Sequence, residues 1–193
     1  MTFDPSMPTM HFDEVHLLNG VHLAVVPPQS GTHSVTFGKL VGSGVYTAAQ
    51  LGTLDIGPGV AVTIVKSELY LAAHIIVHPT GRVVLPETTQ MYRTSNNIQG
   101  ELDGVHKLTI VHATVVLGRQ FPNHKIDILK VLSGGTVWMT GTVSYTLTGS
   151  EVEIGAGGRI VCRNIIFRVD ILTVHEGGHL DADGQGKNTG SCK

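Results

Sequence analysis

Short stretches of alternating apolar and polar residues, broken by glycine turns, recur along this chain about every twenty residues. The clearest copies are Leu54-Asp-Ile-Gly-Pro-Gly-Val-Ala-Val-Thr-Ile64, Val152-Glu-Ile-Gly-Ala-Gly-Gly-Arg-Ile-Val-Cys162 and Leu172-Thr-Val-His-Glu-Gly-Gly-His-Leu-Asp-Ala182. Taking the second apolar residue of each copy as an origin gives Leu17, Phe37, Ile56, Val77, Ile110, Val131, Ile154 and Val174. Two residues earlier stand Val15, Val35, Leu54, Ile75, Leu108, Leu129, Val152 and Leu172, all apolar. Six residues later come Leu23, Ser43, Val62, Val83, Val116, Val137, Ile160 and Leu180. Eight residues later come Val25, Val45, Ile64, Leu85, Gly118, Met139, Cys162 and Ala182, so that only Ser43 and Gly118 break the pattern. Alternate residues of a strand point to opposite faces. Each copy therefore predicts two short strands that both aim inward, with a turn between them.

Four copies carry glycine four residues after the origin (Gly81, Gly135, Gly158, Gly178), where a left-handed bend is expected. A third, less regular apolar stretch follows each pair, as in Leu69-Tyr-Leu, Ile126-Asp-Ile, Val143 to Leu147 and Ile165-Ile-Phe167. Three strands per period, with no capped segment of helical period, predicts an all-β, single-domain parallel β-helix and excludes a doubly wound α/β fold. The expected body is residues 15–186, in about 8 coils of 19–23 residues, after an N-terminal segment or cap (1–14) and before a polar tail (187–193). One step, Val77 to Ile110, is markedly longer than the others. Its excess around Pro86 to Asn97 reads as a loop, or as an extra short coil near Ile98 to Val105. That places a longer excursion near 86–105, where a ligand-binding loop is one expectation.

Composition narrows the function classes. Charged residues are 15% of the chain and the net charge is −2, which gives no electrostatic footprint for nucleic acid. No window is long and apolar enough to insert in a membrane, and the N-terminal residues do not read as a signal peptide. Of the two cysteines, Cys162 falls on an inward position and Cys192 in the polar tail, free to pair elsewhere. No cofactor is expected.

Several motifs suggest chemistry that the repeat explains better. His175-Glu-Gly-Gly-His179 matches the zinc-protease pattern, but that chemistry needs both histidines on one helix face. Here the pattern coincides with a repeat turn, so no metal site is expected. Asp181-Ala-Asp183-Gly has the look of a calcium loop without its remaining ligands. His78, His112 and His175 sit at turns but not at one offset on adjacent coils, and they read as outward polar residues. A polysaccharide-cleaving β-helix would need carboxylates projecting from one face on neighbouring coils. Lys130 and Glu153 are neighbours there, with Arg163 or Arg168 a coil further on; a cross-coil salt pair accounts for the first two, and no catalytic residue is expected.

The phrase Leu-Thr-Val-His-Glu-Gly-Gly-His-Leu-Asp-Ala-Asp-Gly-Gln-Gly, residues 172–186, resembles coils of very large extracellular proteins with parallel β-helix repeats. More loosely it resembles the coils of filamentous adhesins, and the pattern extends over about residues 15–186. The resemblance implies a matrix, adhesion or fibre role and an extracellular or cell-surface location. The expected function is thus a structural building block of a fibre or rod. Its partners would be further copies of itself, stacked end to end, or neighbouring repeats of a larger chain. The interface candidates are Val15, Leu17, Leu23 and Val25 at one end and Leu172, Val174, Leu180 and Ala182 at the other. Met1, Met7, Met10 and Phe3 form a candidate lid over the first coil. The alternative is a carbohydrate-binding or carbohydrate-cleaving module, for which Trp138 and Tyr92 are the surface-contact candidates and glycans the partner.

Overall fold

The computed structural model describes residues 9–17, 21–25, 33–42, 52–67, 73–119, 122–141 and 143–182. Among them every helix or strand assigned is a β-strand, numbered here along the chain. A long sheet of eight strands runs β2 (His22–Val25), β4 (Gly52–Ile56), β6 (Ala73–Val77), β9 (Ser95–Ile98), β12 (Thr114–Leu117), β15 (Thr136–Met139), β18 (Arg159–Val161) and β21 (His179–Asp181). An N-terminal sheet holds β1 (Thr9–Leu17), β3 (His33–Gly42), β5 (Val60–Ser67), β7 (Arg82–Val84) and β10 (Glu101–Asp103). A C-terminal sheet holds β8 (Thr88–Tyr92), β11 (Lys107–Val111), β14 (Ile128–Val131), β17 (Glu151–Ile154) and β20 (Ile171–Val174). A short sheet of β13 (Asn123–Lys125), β16 (Tyr145–Thr148) and β19 (Ile165–Arg168) takes the place in chain order that the N-terminal sheet held earlier. The strands pair in parallel with neighbours one coil away. This is a parallel β-solenoid, and its long sheet spans about seven turns.

The coil length is set by these pairings. Along the long sheet Ile56 pairs with Val77 and Val77 with Ile98, two steps of equal length. Ile98 then pairs with Leu117 and Leu117 with Met139, in coils of nearly the same size. The first coils are larger, since Phe12 pairs with Phe37 and Val25 only with Ile56. Inward columns such as Leu54–Ile75 and Leu108–Leu129–Val152 stack apolar side chains directly on one another. Leu54, Ile75, Val77, Ile110, Val131, Ile154 and Ile160 are fully buried in one continuous core. Each such side chain contributes on the order of 1.5–3 kcal/mol on burial.

The register corrects the single alignment of origins expected from the pattern. Phe37 lies opposite Phe12 and Ile64, not Leu17 and Ile56. Val77 is followed in its column by Ile98, whereas Ile110 belongs to the C-terminal sheet, between Met91 and Val131. The strand–turn–strand phrase runs from the long sheet into the N-terminal sheet at β4–β5 and β6–β7, and from the C-terminal sheet into the long sheet from β11 onward. The long step from Val77 to Ile110 is one coil, Val77 to Ile98, plus two sides of the next, past β10 to β11. Residues 86–97 are accordingly the extra coil rather than a loop: β8 and β9 are built from them, and Tyr92 closes β8. At β12 the inward residues are Val115 and Leu117, so Val116 faces outward and Gly118 is no defect in the core column.

The glycines four residues after the origin are required for a reason other than the expected bend. The left-handed residue is the one before them: Thr80, Gly134, Gly157 and Gly177 have φ of 66°, 66°, 72° and 77°. These residues stack, the amide of Gly134 donating to the carbonyl of Gly157 and that of Gly157 to Gly177. The following glycines pass close under the previous coil. A Cβ on Gly158 would lie 2.0 Å from the carbonyl oxygen of Val131, and one on Gly178 2.6 Å from that of Ile154.

Ser43, Val45, the Leu69-Tyr-Leu stretch, Met1, Phe3, Met7, Asp183 and Cys192 lie outside the described residues. Residues 9–14 belong to β1 and pair with β3. No described helix is long and apolar enough to cross a membrane.

Candidate functional site

Among the described residues, the last coil differs from the one before it in what its inward residues touch. In β17 and β18 the inward Val152, Ile154 and Ile160 are 1%, 0% and 0% exposed. Their ladder partners one coil on, Leu172, Val174 and Leu180, are 43%, 46% and 45% exposed. The sequence period places these six side chains identically; only position along the stack separates them. Ala182 is likewise exposed, and Ile166 and Ile171 add large apolar side chains on the outer faces of the same coil. Ile166 and Ile171 are not legible in the sequence, because within Ile165-Ile-Phe and Asp-Ile-Leu runs the outward member is not distinguishable by type.

The end also presents backbone. The amide of His179 donates to Gly158, and the carbonyl of Asp181 accepts from Cys162, so these groups turn back toward β18. In an extended strand the intervening residue turns the other way, which directs the amide and carbonyl of Leu180 out of the end. Similarly Ile171 and His175 donate to Ser150 and Ile154, leaving Leu172 and Val174 to face outward along the axis.

At the opposite end, Leu17 and Val25 are buried, while Val15 and Leu23 are half-buried. Between β1 and β2 lies an open apolar cavity of about 240 Å³ lined by Phe12, Val15, Leu17, Val21, Leu23 and Phe37. The two groups of interface candidates thus sit at the two ends, the C-terminal group more open than the N-terminal.

The outer faces carry rails of polar contacts that tie successive coils. Lys130 Nζ lies 2.5 Å from Glu153 Oε2 and 3.2 Å from Glu151 Oε1, and His175 Nε2 lies 3.1 Å from Glu153 Oε1. The hydrogen bond from Lys130 holds the Glu153 carboxyl below the usual range, and Glu153, then Glu151, push the Lys130 ammonium up. Asp55 is bracketed by His22 at 3.1 Å and His78 at 2.9 Å, and Asp127 meets His106 at 2.9 Å. Arg163 and Arg168 belong to the corner before β19 and to β19 itself, on a different sheet from Lys130 and Glu153. The His175-Glu-Gly-Gly-His179 segment forms the turn from β20 into β21, with Gly177 left-handed, which is not the helical geometry that a zinc site of that pattern uses. Asp181 pairs with Arg159.

Trp138 stands on the outer face of the long sheet, 46% exposed, between Val116 and Val161 in its ladder. Tyr92 is half-buried, with the Arg93 guanidinium 5.2 Å from its ring centre and His112 edge-on at 6.0 Å. Tyr92 therefore belongs to the wall of the coil. Inside, Cys162 is buried, and desolvation pushes its thiol up to about 11. His124 is also buried and stacks on Tyr145 with ring centres 6.0 Å apart; its Nε2 has no hydrogen-bond partner. The Tyr145 hydroxyl donates to the carbonyl of Thr140 at 2.6 Å, with that of Leu117 at 3.1 Å.

Compared with protein-family models, with curated proteins and with solved structures, the chain matches none, so the parallel β-solenoid itself is the level at which it is classified.

Proposed function

We propose that this protein is a structural unit, a β-solenoid that self-associates through its coil ends into an extracellular or cell-surface fibre or rod. The observation that carries this reading is the uncovered inward set Leu172, Val174 and Leu180, against complete burial of the same positions one coil earlier. Apolar side chains and unpaired strand edges together favour addition of another coil. That coil comes from a second copy or from neighbouring repeats of a larger chain. The resemblance of residues 172–186 to repeats of large extracellular β-helix proteins supports the same role. Electron microscopy of the purified chain across a concentration series tests it. Rods growing along one axis are expected; monodisperse single particles at every concentration would refute it.

A second reading rests on Trp138. An exposed indole on a flat sheet face, beside Val116 and near Asn97 and Thr136, suits stacking against a sugar ring. Quenching or enhancement of Trp138 fluorescence by oligosaccharides, lost in Trp138→Ala, is the expected sign of a glycan-binding module. An unchanged spectrum across neutral and acidic oligosaccharides would remove it.

A further inference from the structure

We infer that the C-terminal end of the solenoid joins the same end of a second copy about a two-fold axis, with β21 antiparallel to its counterpart. This rests on the assembly reading above and specifies its geometry.

The two ends of the molecule do not match each other. The N-terminal end opens with long strands, β1 of 9 residues and β3 of 10. Its pairings, Phe12 with Phe37 and Val25 with Ile56, span more chain than those of the later coils. The C-terminal end closes with strands of 4, 4 and 3 residues, β19 to β21, in a coil where Ile154 pairs with Val174. A head-to-tail stack would lay the small coil on the large one. The ladder would then lack partners over much of β1, which is longer than any strand of the last described coil. Two C-terminal ends have equal coils by construction.

The final strands suit that arrangement. Leu180 offers an apolar side chain together with an outward-facing amide and carbonyl. An antiparallel pairing centred on Leu180 lets the two copies exchange both backbone hydrogen bonds, as directly opposed residues do. It sets His179 of each copy opposite Asp181 of the other on the outer face, where Asp181 also pairs with Arg159 of its own chain. The same two-fold brings β20 of one copy alongside β19 of the other, strands of equal length that both face inward with apolar residues (Leu172 and Val174; Ile165 and Phe167). An isologous contact of this kind is satisfied by two copies and leaves no strand edge open at that end. Longer rods then require a second contact through the N-terminal cavity.

The test uses the full chain. Sedimentation velocity over a concentration series is expected to show a dimer as the first species formed. Leu180→Cys in a Cys192→Ser background is expected to give a 180–180 disulfide-linked dimer on mild oxidation. Opposed Cα atoms of a hydrogen-bonded antiparallel pair lie about 5.5 Å apart, within disulfide range. Leu180→Lys, with its circular dichroism unchanged, is expected to sediment as a monomer at concentrations where the parent is dimeric. A mixed pair, Leu23→Cys with Leu180→Cys, that crosslinks while the 180–180 link does not form would overturn the two-fold and leave assembly standing. A dimer indifferent to Leu180→Lys would overturn it equally. A monomer at all concentrations would overturn the assembly reading and this geometry with it.

Discussion

The side-chain oxygen of Asn96 accepts the backbone amide of Ile75, one coil earlier, at 3.0 Å, inside the core of the solenoid. Asn96 occupies an inward position in the column that continues Leu54 and Ile75 and leads on to Val115. Its amide nitrogen donates to Thr94 Oγ1 at 2.9 Å and approaches Met91 Sδ at 3.3 Å, so a wholly buried polar group has partners on both sides. Thr89, also fully buried, donates to the Pro86 carbonyl at 2.8 Å in the same coil.

Asn96→Ala is therefore expected to destabilise the protein by about 1–3 kcal/mol, because it strands the Ile75 amide without a partner. Urea unfolding followed by circular dichroism measures it. A midpoint unchanged from the parent would show that water or backbone adjustment replaces the side chain.

His124 should make the fold sensitive to mild acid. Burial depresses its folded pKa to about 4 from an ordinary 6.5, and the group stacked on it, Tyr145, is neutral in this range. The stabilisation is complete above pH 6.5 and is lost as the pH falls toward 4, the loss amounting to about 3 kcal/mol at the acid end. His124→Phe is expected to flatten this slope between about pH 6.5 and 5, where carboxylates contribute little. Unfolding midpoints of the two proteins that fall in parallel across that window would count against it.

The Lys130 rail is expected to matter far less. Glu153→Gln removes one carboxylate, and Glu151 stays within reach of the ammonium, so the loss should be about 0.5–1 kcal/mol and should shrink in high salt. Because the folded Glu153 pKa is lowered, its contribution is present above the ordinary carboxylate range and disappears as the pH falls through the folded value. Thermal melts at low and high ionic strength separate this from a packing effect, which salt would leave in place.

Gly158→Ala is expected to cost at least ~1 kcal/mol, since the new methyl would collide with the Val131 carbonyl rather than strain a torsion. Gly157→Ala tests the other mechanism, the left-handed φ of 72°, with a Cβ that would meet nothing closer than 3.5 Å. If Gly158→Ala melts with the parent, the coils are not as closely stacked as the structure has them.

The amino-acid sequence by itself determined the class of fold, because the period of two within strands and of about twenty between coils are both carried by side-chain type. Leu54, Ile56, Ile75 and Val77, or Val131 and Ile154, are apolar wherever the wall turns inward, and glycine marks the tight passages. Lys130 beside Glu153 was legible for the same reason: equal spacing within equal coils places them as neighbours. The coil of β8 and β9 was legible only as an alternative to a loop and was placed too late in the chain, since Thr89 and Asn96 hold inward positions through hydrogen bonds that no polarity pattern announces. Nor could the pattern fix the phase. A strand–turn–strand phrase reads alike at every corner of a three-sided coil, and only the ladder partners of Val77 and Ile110 show that the phrase has moved by one corner. Leu172, Val174 and Leu180 were nameable as end residues from the pattern, but how far each is exposed belongs to the tertiary structure. Ile154 and Val174 occupy the same place in their repeats, and what makes one core and the other surface is whether another coil lies on top.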